Sequence, residues 1–509
     1  MKFKIILFLS LGLFSFHSKK ESIKSRRPNI LFIPIDDLRP DFETYGNTIL
    51  KTPNMNRIAR VGVTFNRAYC QQAVCNPSRA SLMTGLRPDR LRVWDLQTNM
   101  RKITPDLVTI PQYFKQNGYT TIGLGKTFHN IFPDSLSWTK DIHIEGTPFD
   151  PDAMYAGKES LDIIETKKKK FADENNFSRI DKYGNWYIKA NATENAEVPD
   201  DAYFDALQTE AAIAQMKILK VEDKPFFLSV GYYKPHLPFN APKKYWDLYD
   251  RSKLELADNE FIPKNSPSFA VHGDQELRSY DDYRDLPLPT DRPLDEERQR
   301  ELVHGYYACV SYIDAQIGHL LDALENLGMA DNTIIVLWGD HGWKLGEHNS
   351  WAKQSNYEID TRVPLIIGGR GVRSKNTKSA SLVEFIDLFP SLCELAHLKI
   401  PVYLPGKSLV PILNNPMRKT KMAAYSQFLL GRFPKNSKTP ERMGYTVRTD
   451  RYRYVEWYQW QNDEKGNLIA KELFDHKNDP KENENTAYLP ENVKLIDQLS
   501  ILLSENFKK

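Results

Sequence analysis

Four short apolar runs, each followed at once by charged or imidazole side chains, constrain this chain more than any other feature. Asn29-Ile30-Leu31-Phe32-Ile33-Pro34-Ile35 leads into Asp36-Asp37, and Tyr119-Thr120-Thr121-Ile122-Gly123-Leu124 leads into Gly125-Lys126-Thr127-Phe128-His129. Pro225-Phe226-Phe227-Leu228-Ser229-Val230 is followed by Lys234-Pro235-His236, and Thr333-Ile334-Ile335-Val336-Leu337-Trp338 by Gly339-Asp340-His341-Gly342. Runs of this length and apolarity are expected of strands buried on both faces, as in parallel sheets. Helical patterns lie between them at 110–117, 210–219 and 313–327. Alternating strands and helices predict an α/β fold with a large, mostly parallel, doubly wound sheet. Ligands of such sheets sit beyond the carboxyl ends of the strands. The polar residues after the four runs are therefore expected to assemble one site along one sheet edge. Asp36 and Asp37, adjacent carboxylates at the end of a buried strand, need positive compensation. A divalent cation would supply it; a helix cap is the alternative.

A second feature is Cys75-Asn76-Pro77-Ser78-Arg79-Ala80-Ser81-Leu82-Met83-Thr84-Gly85. Pro77 suits the first turn of a helix, where its missing N–H costs nothing. Gly85 ends the helix and Pro88 lies just beyond. Cys75 and Arg79, four apart, would share a face. A cysteine at a positive helix end beside a guanidinium suits anionic chemistry. An ordinary helix with a buried cysteine is the plainer reading.

Val363-Pro364-Leu365-Ile366-Ile367 reads as a further core strand, and 382–396 as largely helical with a possible break at Pro390. Two long polar segments, 133–198 with the lysine run 167–170 and 238–293, interrupt the rhythm as irregular insertions. Both leave the sheet edge that carries the expected site, so they are read as substrate-shaping loops, with the lysines as a solvated surface. From about residue 421 the pattern changes to antiparallel strands at 444–449 and 452–457 and a last helix at 491–506. The expected division is a catalytic α/β domain over 27–415 and a smaller α+β domain over 416–509.

Residues 1–18 read as a secretory leader: Lys2 and Lys4 precede an apolar run that is too short to span a bilayer. The protein is therefore expected to be exported, periplasmic or secreted, with no integral membrane segment. Four cysteines make no disulfide framework. A net charge of +3 gives no electrostatic case for binding nucleic acid. Aromatic residues make up 12% of the chain, which fits sugar-binding platforms and ordinary packing equally.

The pattern C-x-P-S-R-x-x-x-x-T-G resembles the signature of the sulfatases of the alkaline-phosphatase-like superfamily. With Ile35-Asp36-Asp37-Leu38-Arg39-Pro40, Gly125 to His129, Lys234-Pro235-His236, Asp340-His341-Gly342-Trp343, Leu345-Gly346-Glu347-His348 and Trp351-Ala352-Lys353, it looks like the type I formylglycine-dependent branch. That branch contains iduronate-2-sulfatase and its bacterial polysaccharide-sulfatase relatives. The resemblance implies that a maturation enzyme converts Cys75 to 3-oxoalanine (formylglycine), whose hydrate supplies the nucleophilic hydroxyl. It implies that Asp36, Asp37, Asp340, His341 and residue 75 hold a metal. Oxygen-rich ligation favours Ca²⁺ over Mg²⁺ or Mn²⁺. It further implies that Arg79, Lys126 and Lys353 neutralise sulfate, that His236 protonates the leaving sugar oxygen, and that His129 drives release of sulfate. His129 and His236 taken singly would be packing or surface histidines. Glu347 and His348 are expected only to orient the ligands, and Lys344 is expected to alter a subsite. The substrate implied is a sulfated, uronate-containing oligo- or polysaccharide, of glycosaminoglycan or ulvan type. A phosphate or phosphonate ester hydrolase and a non-catalytic glycan-binding protein are the alternatives.

Overall fold

A computed structural model describes residues 27–129, 132–144, 154–178, 180, 188–271, 273–431 and 440–507. The expected leader at 1–18 lies outside the described residues. A large mixed sheet organises the chain. Its strands are β1 (Asn29–Ile35), β2 (Gly62–Tyr69), β3 (Thr120–Gly125) and β4 (Lys140–Ile142), with β5 (Thr193–Glu194) and β7 (Phe239–Asn240) forming a separate pair. It continues with β6 (Phe226–Gly231), β8 (Thr333–Gly339), β9 (Arg362–Val363), β10 (Leu365–Gly369) and β11 (Thr377–Glu384). The order across the sheet is β11-β2-β10-β8-β1-β6-β3-β4, with β9 beside β2. From β8 to β4 every pairing is parallel, with Leu31 opposite Ile335 on one side and Leu228 on the other.

Side chains alternate across β1 and feed two cores. Leu31, Ile33 and Ile35 pack on one face with Met216, Val310 and Leu320 of the helices Phe204–Glu222 and Glu296–Asn326. Ile30 and Phe32 pack on the other with Leu82, Phe114 and Phe389 of the helices Cys75–Thr84, Ile110–Gln116 and Leu388–Leu395. Each such side chain contributes about 1.5–3 kcal/mol on burial, which explains runs with no polar interruption. The 31-residue helix Glu296–Asn326 starts well before the periodic segment at 313–327. Asp295 caps it by accepting the Arg298 N–H, and Glu296 and Glu297 complement its positive end.

Three expectations are corrected. The strand read at 363–367 is two strands separated by Pro364, and β10 runs antiparallel to both β8 and β2. The helical stretch read at 382–396 begins as the end of β11, and the helix starts only at Leu388. The insertion at 133–198 contains a regular helix, Lys158–Asp173, which carries the lysine run. The two insertions are stitched together. Strand β5 pairs with β7, the Asp281 N–H donates to Ala190 O, and Lys189 Nζ donates to Ser279 Oγ at 2.7 Å.

Strands β12 (Ala423–Leu430), β13 (Arg442–Thr449), β14 (Tyr452–Gln461) and β15 (Glu464–Asp475) form an antiparallel meander. The helix Val493–Asn506 covers it through Ile496, Leu499 and Leu503. This sheet abuts the segment leading into Cys75: the Gln427 N–H donates to Gln71 O, and Ser426 Oγ donates to Cys70 O. All four cysteines are free and buried. Among the described residues no helix is long and apolar enough to cross a membrane.

Candidate active site

The carboxyl ends of β1, β8, β3 and β6 deliver Asp36 and Asp37, Asp340 and His341, Lys126, and His236 to one place. The fifth contributor is the helix Cys75–Thr84, all ten residues of which are buried. No side chain caps its N-terminus at Val74. At its other end Gly85 adopts φ 69°, and a Cβ there would lie 2.6 Å from Leu404.

Arg79 binds the site together from one turn inside this helix. Its Nε donates to Asp340 Oδ2 at 2.9 Å, its Nη2 to Asp36 Oδ1 at 3.0 Å, and its Nη1 to the carbonyls of Lys126 and Thr127. The guanidinium is fully buried and lies over the Trp338 ring. Lys126 pairs with the other oxygen of Asp36, and Lys353 Nζ reaches both oxygens of Asp37 at 2.9 Å. Three buried carboxylates thus face three buried cations. Burial alone would raise the Asp36 carboxyl, but Lys126 and Arg79 hold it well below the usual range. Burial wins at Asp37, where Lys353 opposes it but Asp36 adds to it, and this carboxyl is raised.

His341 supplies the decisive geometry for a metal. Its Nδ1 lies 3.0 Å from Gly342 O, an acceptor only, so Nδ1 carries the proton and Nε2 presents a lone pair. That lone pair meets Cys75 Sγ at 3.3 Å, Asp37 Oδ1 at 3.4 Å and Asp340 Oδ2 at 3.6 Å. Asp36, Cys75, Asp340 and His341 each bring one ligand atom within 4.8 Å of the others, and Asp36, Asp37 and His236 form an overlapping group. Acceptors converging on acceptors in a buried site fit a cation between them, and the oxygen-rich set fits a hard one.

His129 follows β3 and shares a small pocket with Asn76 and Ala80 of the Cys75 helix. Its Nδ1 is buried without a hydrogen-bond partner among the described residues, and burial together with Lys126 and Arg79 holds the ring well below its usual pKa, hence neutral. His236 Nδ1 lies 2.7 Å from Leu237 O, and its Nε2 lies 3.1 Å from Glu276 Oε1. Glu276 comes from the second insertion and also reaches Lys353 Nζ at 3.2 Å. Nothing in its polar, aperiodic surroundings marks it in the sequence.

Three residues singled out in the sequence point elsewhere. Lys344 is fully buried and pairs with Asp360, so it is a packing residue and lines no subsite. Glu347 pairs with Arg39 at 2.8 Å, and His348 stacks on Tyr357. Neither touches the carboxylate cluster. Both line a separate polar cavity of about 900 Å³.

Residues 28–398, well over half of the chain, match the family model described as Sulfatase. The chain belongs to the sulfatase family. It is a sulfuric ester hydrolase, and its sheet and flanking helices have the alkaline-phosphatase-like fold. Residues 346–509 of this sulfatase also match the model described as N-sulphoglucosamine sulphohydrolase, C-terminal. It is 34% identical over 487 residues to iduronate 2-sulfatase of Mus musculus, covering 84% of each chain. It is 30% identical over 497 residues to a sulfatase of Formosa agariphila, covering 95% of this chain and 88% of that one. Among solved structures, a protein in complex with its substrate D-glucosamine-2-N,6-O-disulfate superposes with a TM-score of 0.72 at 23% identity. That superposition covers 94% of this chain and 97% of the other, and speaks to the fold.

Proposed function

We propose that this sulfatase is exported and removes sulfate from a sulfated, uronate-containing oligo- or polysaccharide, using Cys75 after its conversion to formylglycine. The observation that carries this reading is the convergence of Cys75 Sγ, His341 Nε2 and the carboxylates at the carboxyl ends of β1 and β8. The similarity to iduronate 2-sulfatase supports the uronate-containing class, with glycosaminoglycan and ulvan types as the candidates. The division into 27–415 and 416–509 belongs to the same proposal. It is supported by the separate core that Met443, Tyr454 and Leu499 form beneath the C-terminal sheet.

In this reading Asp36, Asp37, Asp340, His341 and residue 75 hold one Ca²⁺. When bound, the ion adds positive charge beside the sulfate and the nucleophile. A hydrated aldehyde at residue 75 offers two hydroxyls, one to attack sulfur and one whose deprotonation expels sulfate. Lys126 and Lys353 face the sulfate oxygens, where charge grows as the bond breaks. Arg79 has all three of its nitrogens engaged, so it acts by fixing Asp36 and Asp340. His236 protonates the departing sugar oxygen. His129, kept neutral by its surroundings, accepts the proton of the second hydroxyl.

Two measurements test this. Matured protein given sulfated oligosaccharides of both types and aryl phosphate esters should release sulfate from at least one saccharide far faster than phosphate from the esters. The reverse preference would make it a phosphoryl hydrolase, and saccharide binding without turnover would make it a lectin-like protein. His129→Ala should release about one equivalent of phenol from an aryl sulfate in a burst and then slow by roughly 10²–10⁴-fold. A uniformly slow time course with no burst would remove His129 from the second step.

A further inference from the structure

Among the described residues, Glu276 is the one carboxylate in the site that neither the metal cluster nor the proposed chemistry uses. It is held there deliberately. Asp274 Oδ1 accepts from Ser350 Oγ at 2.7 Å and from the Trp351 N–H at 3.0 Å, which ties its loop to the segment carrying Lys353. On the other side Arg278 donates to Gly273 O and Pro287 O, and Lys189 of the first insertion donates to Ser279 Oγ. Between these anchors the Glu276 carboxylate bridges His236 Nε2 at 3.1 Å and Lys353 Nζ at 3.2 Å, with its side chain 23% exposed toward the open side.

The two contacts of His236 fix its orientation. Leu237 O can only accept, so Nδ1 carries a proton. A carboxylate facing Nε2 requires a second proton there, because a neutral ring would set a lone pair against it. Burial, with Lys353 and Lys126, pushes the imidazole down to about 3 against the opposing pull of Glu276 and Asp36. The Glu276 carboxyl, which burial would raise, is held low by Lys353 first and then by His236. These tendencies conflict. The 3.1 Å contact holds a proton between Glu276 and Nε2 in either case, donated by the ring or by the carboxyl, and that fixes the ring's orientation. Lys353, Lys126 and Asp36 are the other charges that face this ring, and Lys353 and Lys189 those that face Glu276.

We propose that Glu276 is a positioning residue for desulfation, clamping His236 and Lys353 so that Nε2–H points at the departing oxygen. The inference rests on the general-acid reading of His236. As an oxygen of hydrated residue 75, its proton lost to solvent, bonds to sulfur, the bond from sulfur to the sugar oxygen breaks; that electron pair stays on the leaving oxygen, which takes the Nε2 proton. The ring is left neutral with Nδ1–H still on Leu237 O, and Glu276 stays anionic on Lys353. The contact to Nε2 is longer than the 2.7–2.9 Å or so usual for charge-assisted bonds, which leaves that proton available to the substrate.

The test uses the matured full-length enzyme and a series of aryl sulfates whose phenols span a wide range of acidity. It compares Glu276→Gln, Glu276→Ala, His236→Ala and the double variant Glu276→Gln/His236→Ala, with melting temperatures recorded for all. For Glu276→Gln, kcat/KM should fall by less than about 2-fold on the best leaving group and by about 10–100-fold on the poorest. The double variant should be no slower than His236→Ala alone. If His236→Ala shows the leaving-group dependence and Glu276→Gln is flat across the series, the assignment of Glu276 is overturned while the general acid stands. If His236→Ala is itself flat, the general-acid reading fails and Glu276 with it. A gain in kcat/KM for Glu276→Ala would also overturn the inference, since it would make the carboxylate a plug in the sulfate seat.

Discussion

Cys75→Ala is expected to abolish turnover on every sulfate ester while leaving the fold intact. The argument is chemical before it is structural. A hydrate has one hydroxyl to take sulfate and a second through which to expel it, whereas a methyl group has neither. The structure adds that the change is sterically benign. The side chain is 3% exposed, its Sγ lies 3.3 Å from His341 Nε2, and the helix around it is fixed by Arg79, Ser78 and Gly85 rather than by the sulfur. A loss of about 1 kcal/mol in stability is the expected cost of such a truncation. Cys75→Ser separates the two halves of the argument, because its single hydroxyl permits at most one turnover per enzyme. Mass spectrometry of the active wild type should show residue 75 as the aldehyde or its hydrate. Full activity with an unmodified thiol at that position would end the formylglycine reading.

The parts of this architecture that the sequence reveals are those where one physical requirement acts alone. Strands β1, β3, β6 and β8 are buried on both faces, so their apolar runs are unbroken and the polar residues at their ends stand out. Strands β2 and β11 carry Asn66, Arg67, Lys378 and Ser379, which dilutes the signal, and neither is legible. The reversed direction of β10 is equally hidden, since an apolar run says nothing about which way it points. At 382–396 a short apolar stretch serves two elements in succession, and periodicity cannot separate them. Within the site, the convergence of Asp36, Asp37, Asp340, His341 and Arg79 is legible because each lies at a strand end or on one helix face. Lys344 misleads for the converse reason: a lysine inside a conspicuous motif looks directed at a subsite until its buried partner Asp360, 16 residues on, is seen. Glu276 depends on the docking of two insertions, a tertiary fact with no local trace.

Asp340→Ala should cost the metal and the framework together, and the two losses can be told apart. Asp340 accepts from Arg79 Nε, from the Asp37 N–H and from the His341 N–H, and it faces His341 Nε2 across the proposed ion position. If the ion supplies about 4 kcal/mol of charge stabilisation, its loss slows desulfation by about 10³-fold. Stripping the wild type with a chelator should do the same, and Ca²⁺ should restore activity. The stripped wild type should stay folded, because Arg79, Lys126 and Lys353 already pair with Asp36, Asp37 and Asp340. Its melting temperature should fall only by the binding contribution, which is about 2.7 kcal/mol at an ion concentration of 100 times Kd. The Asp340→Ala variant should melt lower still under the same chelation. It leaves Arg79 Nε buried without its carboxylate, and breaking one side of a buried pair costs about 3–5 kcal/mol. Metal content, activity and melting temperature measured on both proteins, with and without chelator, give the comparison. Undiminished activity after verified metal removal would show that the three cations alone suffice for the chemistry. Equal melting of stripped wild type and Asp340→Ala would show that Arg79 does not need Asp340 to hold the site.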